Sequence, residues 1–428
     1  MNKINVAILG FGTVGQGVVK ILQKNADQWV KKCNAEIEVK KVLVKNTQKE
    51  REVKLPSGVM TTDWQEIVND PEINVIIELM GGIEPTRSYI LEALQKGKHI
   101  VTANKDLLAE HGEELLSTCE LADRDLYFEA SVGGGIPIIN PLKQSLLANN
   151  IEKVIGIVNG TTNFILTKMT NEGKNFADAL QEAQQLGYAE ADPTSDVEGL
   201  DAARKMAILA SIAFHTRVTF NDVYVEGISK ISPEDLEYAH SLGYTIKLLG
   251  ISSFEDDQVE VRVHPALIPL EHPLANVNDS FNAIFVKGDA VGETMFYGRG
   301  AGQMPTASAV VGDLIAVVKD INTNSISSSC TCYETKKIKP MDEVKTNYFL
   351  RLQVLDEPGV LANIASIFGA HGVSLASVVQ KGCTENVAEL VVITHKVREK
   401  DIQDSLEIIR KLTITKEIVN LIRVEGME

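Results

Sequence analysis

Two lysines and three acids have the types and spacing for a proton transfer on a small charged substrate: Lys105 in TANKDLLA, Lys205 in VEGLDAARKMAILA, and Glu190, Asp196 and Asp201 shortly before Lys205. An amine beside a hydroxyl takes up or returns a proton where its surroundings favour the neutral form, and carboxylates pair with a substrate ammonium. Asp201 and Lys205 are also one helical turn apart, the spacing of an ordinary surface ion pair worth only about 0.2–0.5 kcal/mol. The surrounding segments must decide between chemistry and a solvated pair.

AILGFGTVGQG sets Gly10, Gly12 and Gly15 in GxGxxG spacing after the apolar strand INVAILG, with a helical pattern from Thr13 to Lys24. That context makes Gly10, Phe11, Gly12, Thr13, Val14 and Gly15 a dinucleotide loop, with the pyrophosphate at the helix N-terminus; a merely flexible turn is the weaker reading. An acid at the end of the second strand would hold the ribose of NAD. Here that strand ends VLVKN, and Lys45, followed by Lys49 and Arg51, favours the 2′-phosphate of NADP while leaving use of NAD open.

EASVGGGIP, residues 129–137, is a glycine-rich turn whose carbonyls suit a substrate, a nicotinamide or a hard cation, or else an interdomain hinge. In LDEPGVL, Asp356, Pro358 and Gly359 open a helix whose free amides suit an amino acid's carboxylate; a plain oligomerisation module is the alternative.

Positioning these residues takes several domains. The alternation of strand and helix over roughly the first 140 residues includes IEVKKVLVK, INVIIELM, a helix from Thr86 to Lys96, HIVTA, a helix from Asp106 to Cys119 and LYFEA. It gives an α/β fold class, a Rossmann-type doubly wound parallel sheet. Residues 141–297 read as an α+β substrate and dimerisation domain, with helices expected at 176–186, 198–214 and 233–248. Residues 298–320 complete the nucleotide-binding domain, 321–346 form a polar linker, and 347–428 have the β-α-β-β-α-β order of a ferredoxin-like unit.

The 428 residues carry a formal net charge of −16 without a basic stripe, which speaks against nucleic-acid binding and for a small-molecule partner. No apolar run reaches the roughly 18 residues of a membrane span, and the N-terminus opens on a strand pattern instead of a leader, so a cytoplasmic protein with no membrane partner is expected. Cys33, Cys119, Cys330, Cys332 and Cys383 show no zinc spacing; Cys330 and Cys332 are read as part of the linker, with a redox pair as the alternative.

The ordered blocks GFGTVGQG, ELMGGIEPTRSYILEALQKGKHIVTANKDLLA, EASVGGGIPII, GIVNGTTNFIL, EADPTSDVEGLDAARKMAILA and GRGAGQMPTASAVVGDL resemble homoserine dehydrogenase nearly end to end, and LQVLDEPGVLANIASIFGAHGVSL resembles an ACT domain. The resemblance implies reversible NAD(P)-dependent oxidation of L-homoserine to L-aspartate 4-semialdehyde in threonine, methionine and isoleucine biosynthesis, with feedback by L-threonine at Asp356, Pro358 and Gly359, in a homodimer or homotetramer. It implies Lys205 as proton donor and Lys105 beside nicotinamide and substrate. Glu190 and Asp201, joined by Asp196, would hold homoserine, and Gly302 would reach the nucleotide. A monovalent cation, sodium, is implied at Glu129, Val132, Gly134 and Ile136, largely through main-chain oxygens. The rival readings are another NADP-dependent semialdehyde oxidoreductase, which in its phosphorylating form needs a nucleophilic cysteine, and a non-catalytic NADP and amino-acid sensor, which has no use for the two lysines.

Overall fold

A computed structural model describes residues 2–327, 330–384 and 386–426, so Ser328 and Ser329 of the expected linker and Met1, Glu385, Met427 and Glu428 lie outside the described residues. The chain divides into two compact units: Met1–Val154 with Arg204–Asp222 and Asn282–Lys336, and Ile155–Ala203 with Val223–Phe281 and Lys337–Glu428.

The first unit holds a parallel sheet of β1 (Asn2–Leu9), β2 (Ala35–Leu43), β3 (Met60–Thr61), β4 (Ile73–Glu78), β5 (His99–Thr102) and β6 (Leu126–Tyr127), in the order β3-β2-β1-β4-β5-β6. β1 lies between β2 and β4, both parallel to it, so the chain reverses its winding there and the crevice beyond the carboxyl end of β1 is where such sheets take ligands. The helix Gln303–Thr323 returns late in the chain: its Ala307, Val310, Val311 and Leu314 share a core cluster with Val18, Val19 and Leu22 of the helix Thr13–Lys24.

In the second unit the strands Tyr244–Glu255 and Gln258–Pro269 pair antiparallel across a two-residue turn in which Asp256 and Asp257 have φ of 53° and 59°. Such a turn matches the twist of the strands it joins. The C-terminal part has four long strands in the order Thr415–Val424, Lys345–Leu355, Val387–Thr394, Leu375–Thr384, with the short strand Val397–Arg398 beside Lys345–Thr346, covered by the helices Val360–Ala370 and Glu399–Ile409 around Tyr348, Leu350, Phe368, Leu390, Ile402 and Leu406. This is the ferredoxin-like order.

Three expectations differ from the structure. The expected helix 233–248 is Pro233–Ser241, begun by a Ser232/Asp235 capping box and followed by Gly243 at φ +86°, after which Tyr244–Glu255 is a strand. The expected strand 126–130 stops at Tyr127 and turns into a short 3₁₀ helix, Glu129–Ser131. The segment 321–346 is not wholly irregular: the preceding helix runs to Thr323, Lys337–Ile338 pairs with Gln258–Val259, and Lys345 begins a strand.

Candidate active site

The glycine-rich loop forms where β1 stops. Gly10 has φ +96° and a Cβ there would meet Leu79 O at 2.6 Å, while one at Gly15 would meet Gly10 O at 2.4 Å. Nothing stands within 4 Å of the point a Gly12 Cβ would take. The backbone is thus closed to side chains where it packs and open where a pyrophosphate would approach. Phe11 is buried, Val14 half-buried and Thr13 exposed. Neither Thr13–Lys24 nor Gln303–Thr323, which follows Gly302, begins with a side-chain cap, so first-turn amides are left to an anion. Gln303 links the two starts, donating from Nε2 to Thr13 O at 3.1 Å and accepting from Lys20 Nζ at 3.1 Å. These features fit a dinucleotide.

Lys45 and Lys49 are exposed beyond β2. The cation held against the loop is Arg51: its Nε donates to Phe11 O at 3.4 Å, Nη2 to Asn46 O at 2.9 Å and Nη1 to Lys49 O at 2.8 Å, with the guanidinium 5.8 Å from the centre of the Phe11 ring.

Lys105 opens the helix Lys105–Leu121 directly after its cap, Asn104, whose Oδ1 accepts from Leu107 N at 3.1 Å and whose Nδ2 donates to Gly82 O at 2.7 Å. The fully buried Glu78 at the end of β4 accepts from Met80 N at 2.7 Å, Gly81 N at 3.0 Å and Thr102 Oγ1 at 2.6 Å. Burial pushes its pKa up against the pull of those donors. The loops after β4 and β5 are therefore tied to each other. Lys205 lies half-buried on the helix Leu200–Ala213, and its neighbour Arg204 pairs through Nε with Asp106 Oδ1 at 3.0 Å. That bridge joins the residue beside each lysine, so the two lysine-bearing turns are neighbours.

In the glycine turn, Glu129 spends its carboxylate on backbone amides: Ile138 N at 2.5 Å and Ile139 N at 2.8 Å reach Oε1, and Asn140 N at 2.7 Å reaches Oε2. Asp313 Oδ2 accepts from Glu129 N at 2.7 Å, and burial, then the Glu129 charge, raises the Asp313 carboxyl to about 8. Val132 and Ile136 are buried, and Gly134 has φ +55° with Gly300 O 2.3 Å from where its Cβ would stand. Among the described residues no group of three or more His, Cys, Asp or Glu suits a metal ion. A cation at this turn would rest on main-chain oxygens, a donor set that suits a hard monovalent ion.

In the second unit, Asn159 caps the helix Gly160–Glu172, its Oδ1 accepting from Thr162 N at 2.9 Å, while its Nδ2 donates to Asp196 Oδ1 at 2.7 Å and Asp201 Oδ2 at 2.8 Å. Asp201 is 7 % exposed. Two carboxylates focused through one buried amide concentrate negative charge of the kind that attracts a cation. Glu190 is exposed, and its carbonyl accepts from Gln184 Nε2 at 3.0 Å, so the structure gathers two of the three acids around Asn159. Asp356, Pro358 and Gly359 lie exposed before the helix Val360–Ala370; Asp356 Oδ1 accepts from Gln380 Nε2 at 3.0 Å, and Gly359 has φ +90°.

The sequence reading passed over Asn104, Asn159, Glu78 and Asp313. The two asparagines carried a signal, since each precedes a helical pattern as an N-cap does. Glu78 pairs with its own following loop as well as with Thr102, and Asp313 with Glu129 184 positions away, and neither carried a sequence signal.

Residues 10–129 match the family described as homoserine dehydrogenase, NAD binding domain, residues 137–315 the one described as homoserine dehydrogenase, and residues 348–413 the ACT domain. The chain is 49 % identical to the homoserine dehydrogenase of Bacillus subtilis over 431 positions, covering 100 % of this chain and 99 % of that one. The crystal structure of a homoserine dehydrogenase from Thiobacillus denitrificans superposes with a TM-score of 0.95 at 43 % identity, covering 100 % and 99 % of the two chains. A hyperthermophilic archaeal homoserine dehydrogenase in complex with NADPH aligns at 27 % identity with a TM-score of 0.62, over 74 % of this chain and 97 % of that one.

Proposed function

Since the chain belongs to the homoserine dehydrogenase family, we propose that it interconverts L-homoserine and L-aspartate 4-semialdehyde with NADP as the preferred cofactor, in the route to threonine, methionine and isoleucine. The observation that carries the substrate assignment is the Asn159 amide focusing Asp196 and Asp201, a receptor for the α-ammonium on the segment that leads into Lys205. Glu190 would join these acids from its exposed position.

NADP held at the Gly10–Gly15 loop and Gly302 supplies the hydride acceptor. The Arg51 guanidinium on Phe11, more than the exposed Lys45, supports the 2′-phosphate reading, because a planar cation pairs with phosphate bidentately. Lys205 takes the hydroxyl proton of homoserine and returns it in the reverse direction. Lys105, fixed by Asn104 at the start of its helix, orients and polarises the same oxygen. A sodium ion on main-chain oxygens of Glu129, Val132, Gly134 and Ile136 would hold the turn between the Glu129 carboxylate clamp and the helix of Asp313.

The C-terminal module takes L-threonine as a feedback effector at Asp356, Pro358 and Gly359, in a cytoplasmic homodimer or homotetramer. Residues 1–140 with about 298–320 bind nucleotide, 141–297 bind substrate, and 321–346 connect them to 347–428.

The test is to follow reduced-cofactor absorbance with L-homoserine and NADP, then NAD, with and without L-threonine. Homoserine-dependent reduction that favours NADP and falls with threonine is expected. Silence with both cofactors would point instead to a nucleotide and amino-acid sensor or to an oxidoreductase of another semialdehyde.

A further inference from the structure

Cys330 and Cys332 stand in the first unit on the wall of a small cavity shared with Lys143, Arg217, Leu108 and Ile212. Cys332 N lies 3.4 Å from Cys330 Sγ, Cys330 N donates to Glu120 Oε1 at 3.0 Å, and Cys332 Sγ reaches Ser211 O at 3.7 Å. Ser211 belongs to the helix Leu200–Ala213, which also carries Lys205. Both thiols are free and half-buried, in contrast to the buried Cys33 and Cys119.

This arrangement divides the labour between the two sulfurs. The thiol and the amide of Cys332 both point at the Cys330 sulfur and, with help from Lys143, draw the Cys330 thiol down against burial and the Glu120 carboxylate. The Cys332 thiol is pushed up, first by donating to Cys330 and then by burial. Lys143 is itself a half-buried ammonium whose pKa desolvation lowers and the surrounding thiols lift back, so a negative sulfur here offsets part of a charge that the fold partly desolvates. A partly exposed thiolate flanked by a protonated second thiol is the layout of an attacking and a resolving cysteine.

We propose that Cys330 is a covalent modification site for low-molecular-weight disulfides and that Cys332 is its resolving partner. The Cys330 thiolate attacks one sulfur of the small disulfide, forming a mixed disulfide and releasing the other half as a thiolate. The Cys332 thiol then loses its proton to that leaving group or to solvent and attacks Cys330 Sγ, closing a Cys330–Cys332 disulfide and releasing the second small thiol. The protein pair is oxidised by two electrons and the small disulfide is reduced to two thiols. Closing the ring takes the Cys332 sulfur off Ser211 O, at the end of the helix that carries Lys205.

The full-length protein is incubated with excess oxidised glutathione and followed by intact mass and peptide mapping, a readout independent of the dehydrogenase assignment. The wild type is expected to lose two hydrogens with a Cys330–Cys332 link, Cys332→Ser to accumulate a glutathione adduct on Cys330, and Cys330→Ser to show neither. Alkylation by iodoacetamide at pH 7 should mark Cys330 at least about tenfold faster than Cys33 or Cys119, in keeping with thiolate control of the rate. Turnover of the oxidised wild type should fall and recover with dithiothreitol, while Cys330→Ser stays insensitive to the oxidant. An adduct that forms first on another cysteine, or a Cys330→Ser variant that consumes oxidant as the wild type does, overturns the site. Quantitative disulfide with unchanged turnover overturns its link to the helix.

Discussion

At the scale of single residues, three side chains can each be tested by one substitution. Lys205→Ala should lower turnover by at least about 100-fold, the usual reach of a positioned acid or base, while NADP binding, read by titration calorimetry, survives. Retained turnover in that variant would return the Asp201 and Lys205 spacing to an ordinary ion pair. Asn159 does two jobs, so its test must separate them: Asn159→Ser keeps a helix-capping oxygen but withdraws the two donations to Asp196 and Asp201. Charge-assisted bonds are worth about 1.5–3 kcal/mol each. Stability should therefore fall, and KM for homoserine should rise about tenfold or more with KM for NADP nearly unchanged; a parallel rise in both KM values would reduce Asn159 to a cap. Asp313 titrates at about 8 when folded, raised first by burial and then by Glu129, against about 3.9 when unfolded. Between those values the folded chain holds the extra proton, so this group's contribution to stability is present at low pH and is lost as pH rises from about 4 to about 8. Asp313→Asn removes that loss. Its melting temperature should gain on the wild type between pH 5 and pH 8, and an unchanged difference across that range would contradict the assignment.

At the scale of elements, legibility followed the range of the interaction. The glycine loop, β1 and the helix after it are set by neighbours in sequence, and each was readable from spacing alone. The helix Pro233–Ser241 was readable at its start, where Ser232, Pro233 and Asp235 sit side by side, but not at its end, because YTIKLLG is as apolar as a helix face would be and only Gly243 marks the stop. The lysines and acids were legible as residue types, whereas the network that aims them was not: Glu78 gathers amides from the loop after β4 and a hydroxyl from β5, and Asp313 reaches Glu129 from 184 positions away. The start of the helix Lys105–Leu121 tests how far an element's end controls chemistry. Asn104→Ala removes both the cap and the tether to Gly82 O. Stability should fall by about 1 kcal/mol in a calorimetric scan, and kcat should fall along with it, since Lys105 is the first residue the cap positions; an unchanged kcat would leave the cap a purely structural role.

At the scale of the whole chain, the C-terminal module is not a loosely tethered appendage within its own unit. Its last strand, Thr415–Val424, pairs in parallel with Gln258–Pro269 through Ala266 to Arg423 and Leu267 to Val424. Arg423, 1 % exposed, donates from Nε to Glu399 Oε2 at 2.9 Å and from Nη1 to Glu226 Oε2 at 2.7 Å, and Arg351 Nε meets Asp235 Oδ1 at 2.9 Å. These guanidiniums join the ferredoxin-like part to the strand and helix segments that precede it. Buried ion pairs stabilise little relative to apolar packing, but losing one partner strands the other charge, at a cost of about 3–5 kcal/mol. Arg423→Met should therefore lower the first calorimetric transition well below that of the wild type, and Arg423→Met combined with Glu399→Gln should win part of it back by removing the charge left behind. If the double variant is no better than the single one, the cost lies in packing and not in the stranded carboxylate. If the pairing also carries the effector signal, threonine should inhibit Arg423→Met less than the wild type at a temperature where both are folded. Equal inhibition would confine the signal to the loop of Asp356, Pro358 and Gly359 and to contacts that do not pass through Arg423.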